Sequence, residues 1–376
     1  MLRPFVMLSA ILASSLAMAA DPVRIANVVE LSGVGASNGN NWKNAVTMAF
    51  DEINAKGGLL GRKVELTNYD TQTNPGISRA QVQKALDDNP YVILGPIYSG
   101  SVKVNMGLAA EAEVPQIVGA QAAELTKAGN KYLFRTNLNQ IDGILKVAAY
   151  LQDRMKATKV AMVWVNNDYG KQGRDAFVAE MKKRGIAFVS ETSIENGQVD
   201  FAPDVIKVKD AKPDAVLVYL NTEESAKFVR EARRQSLPAP LVGETTLLNQ
   251  SVLELAGADA NGLRGHISLS ADAPFKTVQD FRARFVERYK SVPDHNALAG
   301  YMAAYTVKAV TEKTGKIDGK AFAQALHGMT ILAKDEPGML IDCTWDQNGD
   351  VDFESLLGEV TDGKMKITET LPKLRP

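Results

Sequence analysis

The sequence predicts an α/β protein of two lobes, each a mostly parallel sheet flanked by helices. Short apolar runs alternate with amphipathic helices of ten to sixteen residues along most of the chain, the alternation of parallel sheets covered on both faces. The pattern restarts midway, after Leu133-Phe134-Arg135-Thr136. No low-complexity tether separates the halves, which predicts lobes joined by several short crossings.

Residues 23–29 (VRIANVV) read as a buried strand. Residues 40–55 read as a helix, because Trp42, Val46, Ala49, Phe50 and Ile53 recur along one face. Gly57-Gly58 ends it, since glycine takes the left-handed cap without strain. Strands follow at 64–69, 91–94 and 116–118, separated by helices at 77–86 and 102–113. After the restart, helix 141–155 leads into strand 159–165 (KVAMVWV), helix 170–184 and strand 186–189. Strand 215–219, helix 223–234 and strand 241–243 continue the series. From Phe275 the texture changes to longer helices at 278–289 and 297–314, and Asn348-Gly349 signals a hairpin turn. In such sheets ligands sit at the carboxyl ends of the strands, so two facing lobes place a ligand in the cleft between them.

The N-terminus predicts export. Arg3 supplies the positive start, residues 5–16 (FVMLSAILASSL) the apolar middle, and Ala17-Met18-Ala19 a small-x-small cleavage site. The apolar run is shorter than the ~20 residues of a membrane span, and no later stretch approaches that length. No cysteine follows the cleavage site to carry a lipid, so a freely diffusing periplasmic protein is expected. The single cysteine, Cys343, excludes an internal disulfide and reads as a small buried apolar residue. Lys and Arg number 43 against 44 Asp and Glu, and loss of Arg3 with the signal takes the formal charge from −1 to −2. That near-balance argues against a nucleic-acid or anionic-membrane partner.

Three loops carry candidate chemistry. Gly95-Pro96-Ile97-Tyr98-Ser99-Gly100-Ser101 has the glycine spacing of a phosphate loop, but Ser101 stands where the lysine belongs. Backbone N–H groups and the two serine hydroxyls could still hold a carboxylate; the alternative is serine capping of a helix. Gly33-Val34-Gly35-Ala36-Ser37-Asn38-Gly39 approximates a dinucleotide fingerprint with its last glycine one position late. Asp346-Gln347-Asn348-Gly349-Asp350-Val351-Asp352 has a calcium-loop flavour, but its glycine is misplaced and a solvated hairpin explains it better. His266, His295 and His327 lack metal spacing and read as surface or capping residues. No nucleophile–base pair, cofactor or metal site is legible, so an enzyme is not expected.

The chain resembles the leucine/isoleucine/valine-binding protein family, periplasmic substrate-binding subunits of branched-chain amino-acid ABC transporters. The resemblance runs through Leu31-Ser32-Gly33, Asp51-Glu52-Ile53-Asn54-Ala55-Lys56-Gly57-Gly58, Gly61-Arg62-Lys63-Val64, Tyr69-Asp70, Gly95-Pro96-Ile97-Tyr98-Ser99, Asp168-Tyr169-Gly170 and Gly243-Glu244. It implies the type I periplasmic binding protein fold with three hinge crossings, near 137–142, 267–270 and 350–353. Lobe 1 would comprise 20–139 plus 268–352, and lobe 2 140–267 plus 353–376. It further implies a monomer that captures a small apolar amino acid and delivers it to a membrane permease.

Carried over by position, the resemblance makes Ser99 the hydrogen-bond donor to the ligand carboxylate and Ala120 a backbone contact to the head group. Gln121 replaces a usual threonine. Tyr169 would close over the ligand from the second lobe, and Asn221 or Thr222 stands where a tyrosine is common. Glu244 or its neighbour Thr245 falls at the acid that pairs the ligand ammonium. If Thr245 holds that place, a carboxylate without an amine, such as an aromatic acid, becomes the ligand. Ser37 and Asn38 line the first-lobe loop, Tyr98 offers an apolar wall, and Trp42 packs its helix on the sheet. The family's disulfide positions fall at about Thr73 and Tyr98, neither a cysteine.

N-terminal sequencing of the exported protein is expected to begin at Ala20; an intact Met1 would sink the signal-peptide reading.

Overall fold

The computed structural model describes residues 21–374, so the expected signal and its cleavage site lie outside the described residues. The first lobe grows from β1 (Val23–Val29), buried at all but one position. It is followed by α1 (Ala36–Ala55), β2 (Val64–Asp70), α2 (Pro75–Asp87), β3 (Val92–Leu94), α3 (Ser99–Glu111), β4 (Gln116–Val118), α4 (Glu124–Lys127) and β5 (Leu133–Arg135). Its five strands lie in the order β2-β1-β3-β4-β5, every pair parallel. The α1 helix ends where expected: Gly57 and Gly58 both take positive φ, and a Cβ on Gly58 would sit 2.0 Å from the Arg62 carbonyl oxygen.

The chain then crosses into a second lobe of α5 (Gln140–Asp153), β6 (Lys159–Val165), α6 (Asp168–Arg184), β7 (Ala187–Ile194), α7 (Ala202–Asp210), β8 (Ala215–Tyr219), α8 (Thr222–Arg234), β9 (Leu241–Gly243), α9 (Gln250–Ala256) and β10 (Arg264–Ile267). It returns through α10 (Lys276–Tyr289), α11 (His295–Thr314), α12 (Gly319–Leu326) and a small antiparallel sheet of β11 (Thr330–Ile331), β12 (Cys343–Trp345) and β13 (Val351–Asp352). The hairpin expected at Asn348-Gly349 joins β12 to β13. A last crossing leads to β14 (Ser355–Thr361) and β15 (Lys364–Leu371), which extend the second sheet to β15-β14-β10-β9-β8-β6-β7. Among the described residues, no helix is long and apolar enough to cross a membrane.

The returning helices belong to the first lobe by packing and by charge. Trp42 is fully buried between α1 and α11, its ring 3.0 Å from where a Cβ of Gly300 would stand. Its Nε1 donates to Asn27 Oδ1 at 3.0 Å. Arg284 and Arg288 of α10 pair with Glu52 and Asp51 of α1. Cys343 is buried on β12, and burial pushes its thiol well up.

The crossings are tied by a buried ion pair. Arg135, at the end of β5, places Nε 2.6 Å from Asp350 Oδ1, both side chains enclosed. Its two Nη atoms donate to Ala120 O (3.0 Å), Ala122 O (2.9 Å) and Thr126 Oγ1 (3.0 Å). Asn139 caps α5 and donates to Asp142 and Asp350. Removing one partner of a buried pair strands the other charge. Asp350→Ala is therefore expected to cost about 3–5 kcal/mol of stability, read as a lowered urea midpoint; an unchanged midpoint would show that the remaining bonds suffice.

Candidate ligand-binding site

Helices follow strands in both lobes, so their N-termini gather at the carboxyl ends of the two sheets, in the cleft. There a cavity of about 290 Å³ is lined by both lobes. From the first lobe come Asn38 of α1, Thr73, the Ile97–Ser101 segment, Gly119, Gln121, and His295 and Asn296 of α11. From the second come Asn167, Tyr169 and Lys171 at the head of α6, with Asn196, Asn221 and Thr246.

The lobes touch around the cavity. Thr222 Oγ1 donates to Asn38 Oδ1 at 2.8 Å. Lys103 of α3 reaches Asp168 of α6 at 3.1 Å and Glu124 at 3.2 Å. Glu124 N donates to Gln172 Oε1 at 3.4 Å. The lobes are therefore in contact across the cleft.

Ser99 opens α3, which starts three residues earlier than the sequence suggested. The capping alternative fails: the N-cap is Tyr98, and no side chain caps this helix. Its first amides point at the cavity wall uncapped, an arrangement that attracts anions. Ser99 Oγ accepts from Ala122 N at 3.2 Å, leaving its O–H to donate. The segment before it is held from behind by Glu30, whose carboxylate accepts from Ile97 N (3.1 Å) and Tyr98 N (3.2 Å). Burial pushes the Glu30 carboxyl up to about 7. Tyr98 lines the cavity beside Thr73, and burial raises its phenol well above the usual value.

Tyr169 lines the second-lobe side, stacked on Tyr219 with centroids 4.4 Å apart and planes at 17°. Gly173 makes room for that stack, since a Cβ there would lie 2.1 Å from the Tyr219 ring. The Tyr169 hydroxyl lies 3.3 Å from Thr246 Oγ1. Asn221 lines the cavity as the N-cap of α8 and donates to Asn196 Oδ1 at 3.1 Å.

Three expected residues are placed elsewhere. The Ala120 carbonyl faces inward to Arg135 and is not in the lining. Ser37 lies in the first turn of α1 outside the lining, where its neighbour Asn38 takes the place. Residues 35–39 also spell the G-x-S-x-G of a nucleophile elbow, but Ser37 sits within the helix rather than on a sharp strand-to-helix turn. Glu244 packs against α5, 2.7 Å from where a Cβ of Gly143 would stand. Its Oε1 meets Thr245 Oγ1 (2.8 Å) and His266 Nδ1 (2.9 Å). Thr245 Oγ1 also accepts from Ser268 N at 2.7 Å. Neither Glu244 nor Thr245 lines the cavity; Thr246 does.

His266 and His295 are buried, not surface residues, and burial lowers the pKa of both. The sequence reading missed His295, Asn296, Thr246, Asn196 and Lys171 as lining residues. A local signal existed only for the start of the helix that carries the first two. Asp294-His295-Asn296 has an N-cap residue at the head of a helical run, and Asp294 accepts from Ala297 N at 3.0 Å. Among the described residues, no group of three or more His, Cys, Asp or Glu is placed to hold a metal.

Two α/β lobes facing each other across a cavity lined from both sides, with a helix N-terminus that no side chain caps in its wall, define a two-lobed solute-binding protein. The chain belongs to the periplasmic binding protein family, whose model matches residues 22–364. It is 31% identical over 356 residues to the Leu/Ile/Val-binding protein BraC3 of Rhizobium johnstonii, covering 93% of this chain and 95% of that one. The structure resembles the branched-chain amino acid transporter substrate binding protein of Streptococcus pneumoniae in complex with isoleucine (TM-score 0.85, 22% identity, 93% of this chain and 99% of that one). It also resembles a solute binding protein of an ABC transporter from Rhodopseudomonas palustris in complex with 3,4-dihydroxybenzoic acid (TM-score 0.84, 23% identity, 94% and 97%).

Glu30, with Glu223 also raised by burial to about 7, sets a pH dependence. A carboxyl raised by folding contributes stability that is fully present below its unfolded value and lost as pH rises through the folded value. Stability is thus expected to fall between about pH 4.5 and 7. Glu30→Gln should make that fall shallower, measured as melting temperature at pH 5 and pH 8; an unchanged slope would exonerate Glu30.

Proposed function

We propose that this protein is the periplasmic solute-binding component of an ABC importer. It captures a small amino acid or related carboxylate between its lobes and delivers it to a membrane permease. The observation that carries this reading is the cavity lined from both lobes, with Ser99 and the uncapped start of α3 in its wall. A ligand touching both lobes favours the closed population. The lobes would turn about crossings at 139/140, 267/268 and 352/353, and the carrier would act as a monomer without nucleic acid or cofactor.

The identity to a Leu/Ile/Val-binding protein supports a branched-chain or other apolar amino acid as the solute. One observation favours a second reading, a carboxylate lacking an amine. A buried ammonium needs an acidic partner, yet Glu244 is outside the lining, its Oε1 bonded to Thr245 and His266 and only its buried Oε2 without a partner. The acid that does line the cavity, Asp168, pairs with Lys103.

Calorimetry against leucine, isoleucine, valine and benzoate distinguishes the two readings; binding by none of them would count heavily against both. Ser99→Ala is expected to weaken binding of whichever acid is bound by roughly 1–3 kcal/mol, and an unchanged affinity would remove Ser99 from the site.

A further inference from the structure

Beside the cavity the two lobes meet along the start of α8. Thr222 Oγ1 donates to Asn38 of α1 at 2.8 Å. Ser251 Oγ of α9 donates to Asp294 Oδ2 at the head of α11 at 3.4 Å, and a Cβ on Gly197 would stand 3.7 Å from Val34 Cγ1. Glu223 and Glu224 follow Thr222 in the first turn of α8. Acids at that position ordinarily face water and answer the helix dipole. Here Glu224 is 1% exposed, and the Oε2 atoms of both acids are buried with no hydrogen-bond partner. Glu224 Oε1 accepts from Gly197 N at 2.7 Å. Glu223 is faced by the acid Glu224 on its own helix and by Asp294 from the first lobe, against Lys227 one turn on. The Lys227 ammonium is itself engaged by Gln198 O at 3.4 Å. Tyr98 of the first lobe lies near both acids, its phenol raised by burial and then by the charges of Glu223 and Glu224. From α9 come Asn249, which donates to Thr222 Oγ1 at 3.3 Å, and Ser251, neither of them charged.

A carboxyl in such a seam is favoured in its neutral form: burial, with Glu224 and Asp294 adding to it, raises Glu223 to about 7. Parting the lobes takes Asp294 and Tyr98 away and returns Glu223 to water, where a carboxyl ionises in its ordinary range. We propose that closure of the cleft takes up a proton on Glu223, so that solute affinity falls as the surroundings turn from mildly acidic to mildly alkaline. The sign follows from linkage: the closed form holds the proton more tightly, so its advantage is present in acid and lost as pH rises through the closed-form value. Glu30 does not enter, because its partners Ile97, Tyr98 and Asp70 all belong to the first lobe and stay with it. His295 works in the opposite direction, since burial lowers it from 6.5; comparison with a Glu223 variant cancels its share. The linkage rests on the reading that the lobes close over a solute.

The test is calorimetry at pH 6 and pH 8 with whichever of leucine or benzoate binds, neither of which titrates appreciably between those values. Glu223→Gln copies the protonated side chain. It is expected to bind at least about threefold tighter than the wild type at pH 8 and to match it more closely at pH 6. A purely structural role would instead weaken binding at both. Asp294→Asn keeps an N-cap residue on α11 while removing the facing charge, and should also tighten binding at pH 8. If Glu223→Gln fails to fold, Asp294→Asn decides. The same ratio of affinities at the two pH values in wild type and variants overturns the inference. Should neither acid bind, a measurement without ligand separates the two readings. Spin labels on Leu60→Cys and Ile206→Cys, exposed on opposite lobes, report the distance between lobes, with Cys343 buried and out of reach. Acidification from pH 8 to pH 6 should shift the labels together more in the otherwise wild-type protein than with Glu223→Gln added. An identical response in both overturns the proton linkage, whereas the expected difference without any bound acid retires the carboxylate reading alone.

Discussion

The buried pair of Arg135 and Asp350 is the constraint on which the rest of the binding architecture depends. Arg135 closes β5, the last strand of the first sheet, while Asp350 precedes β13, more than two hundred residues on. One guanidinium thus bonds the 120–122 segment behind the cavity, the Thr126 side chain and the strand leading to the last crossing. Asn139 joins the same unit from the first crossing, and Trp345 Nε1 donates to the Arg135 carbonyl at 3.0 Å. Taking two charges out of water is expensive unless their remaining donors and acceptors are also satisfied; here Arg135 donates to the Ala120 and Ala122 carbonyls and Thr126 Oγ1, and Asp350 accepts from Thr126 and Asn139. The first-lobe wall and the strands at the crossings are thereby tied to one buried guanidinium.

That bracing bears on how the lobes meet. Ser99 and Gln121 approach from a wall braced by Arg135 and Glu30, whereas Tyr169, Asn221 and Thr246 arrive on the second lobe. The contacts between lobes are few and polar, with Asn38 to Thr222 and Lys103 to Asp168 the clearest. The Lys103 pair is solvent-exposed at 49% and 38%, and exposed ion pairs contribute little. A ligand bridging both lobes would favour the closed population.

Much of the architecture was legible because it rests on local periodicity. The βα alternation, the Gly57-Gly58 stop and the Asn348-Gly349 hairpin all appear where residue pattern alone puts them. What escaped was short or interrupted. In β10 the run Arg-Gly-His-Ile carries a charge and an imidazole where a buried strand would show apolar residues. Its place in the sheet comes from neighbours on both sides. The β14–β15 hairpin had a Asp362-Gly363 turn signal, both residues at positive φ, but it lies beyond the region where the strand–helix rhythm was easiest to follow.

By itself, the sequence determined the two-lobed α/β fold and its interlobe cleft, because helix N-termini fall at the carboxyl ends of parallel strands. The loop holding Tyr98 and Ser99 was legible from its own residues, whereas Gln121, Tyr169 and Asn221 came from the family resemblance; all five line the cavity. Which way a side chain points within a loop was decided only by tertiary packing. Glu244 and Thr246 are two residues apart, yet one packs against Gly143 and His266 and the other lines the cavity. His295 and Asn296 reached the cavity because α11 returns from the far side of the sequence to pack on α1. No local spacing encodes such a meeting; it is set by the contacts of two distant helices across Trp42.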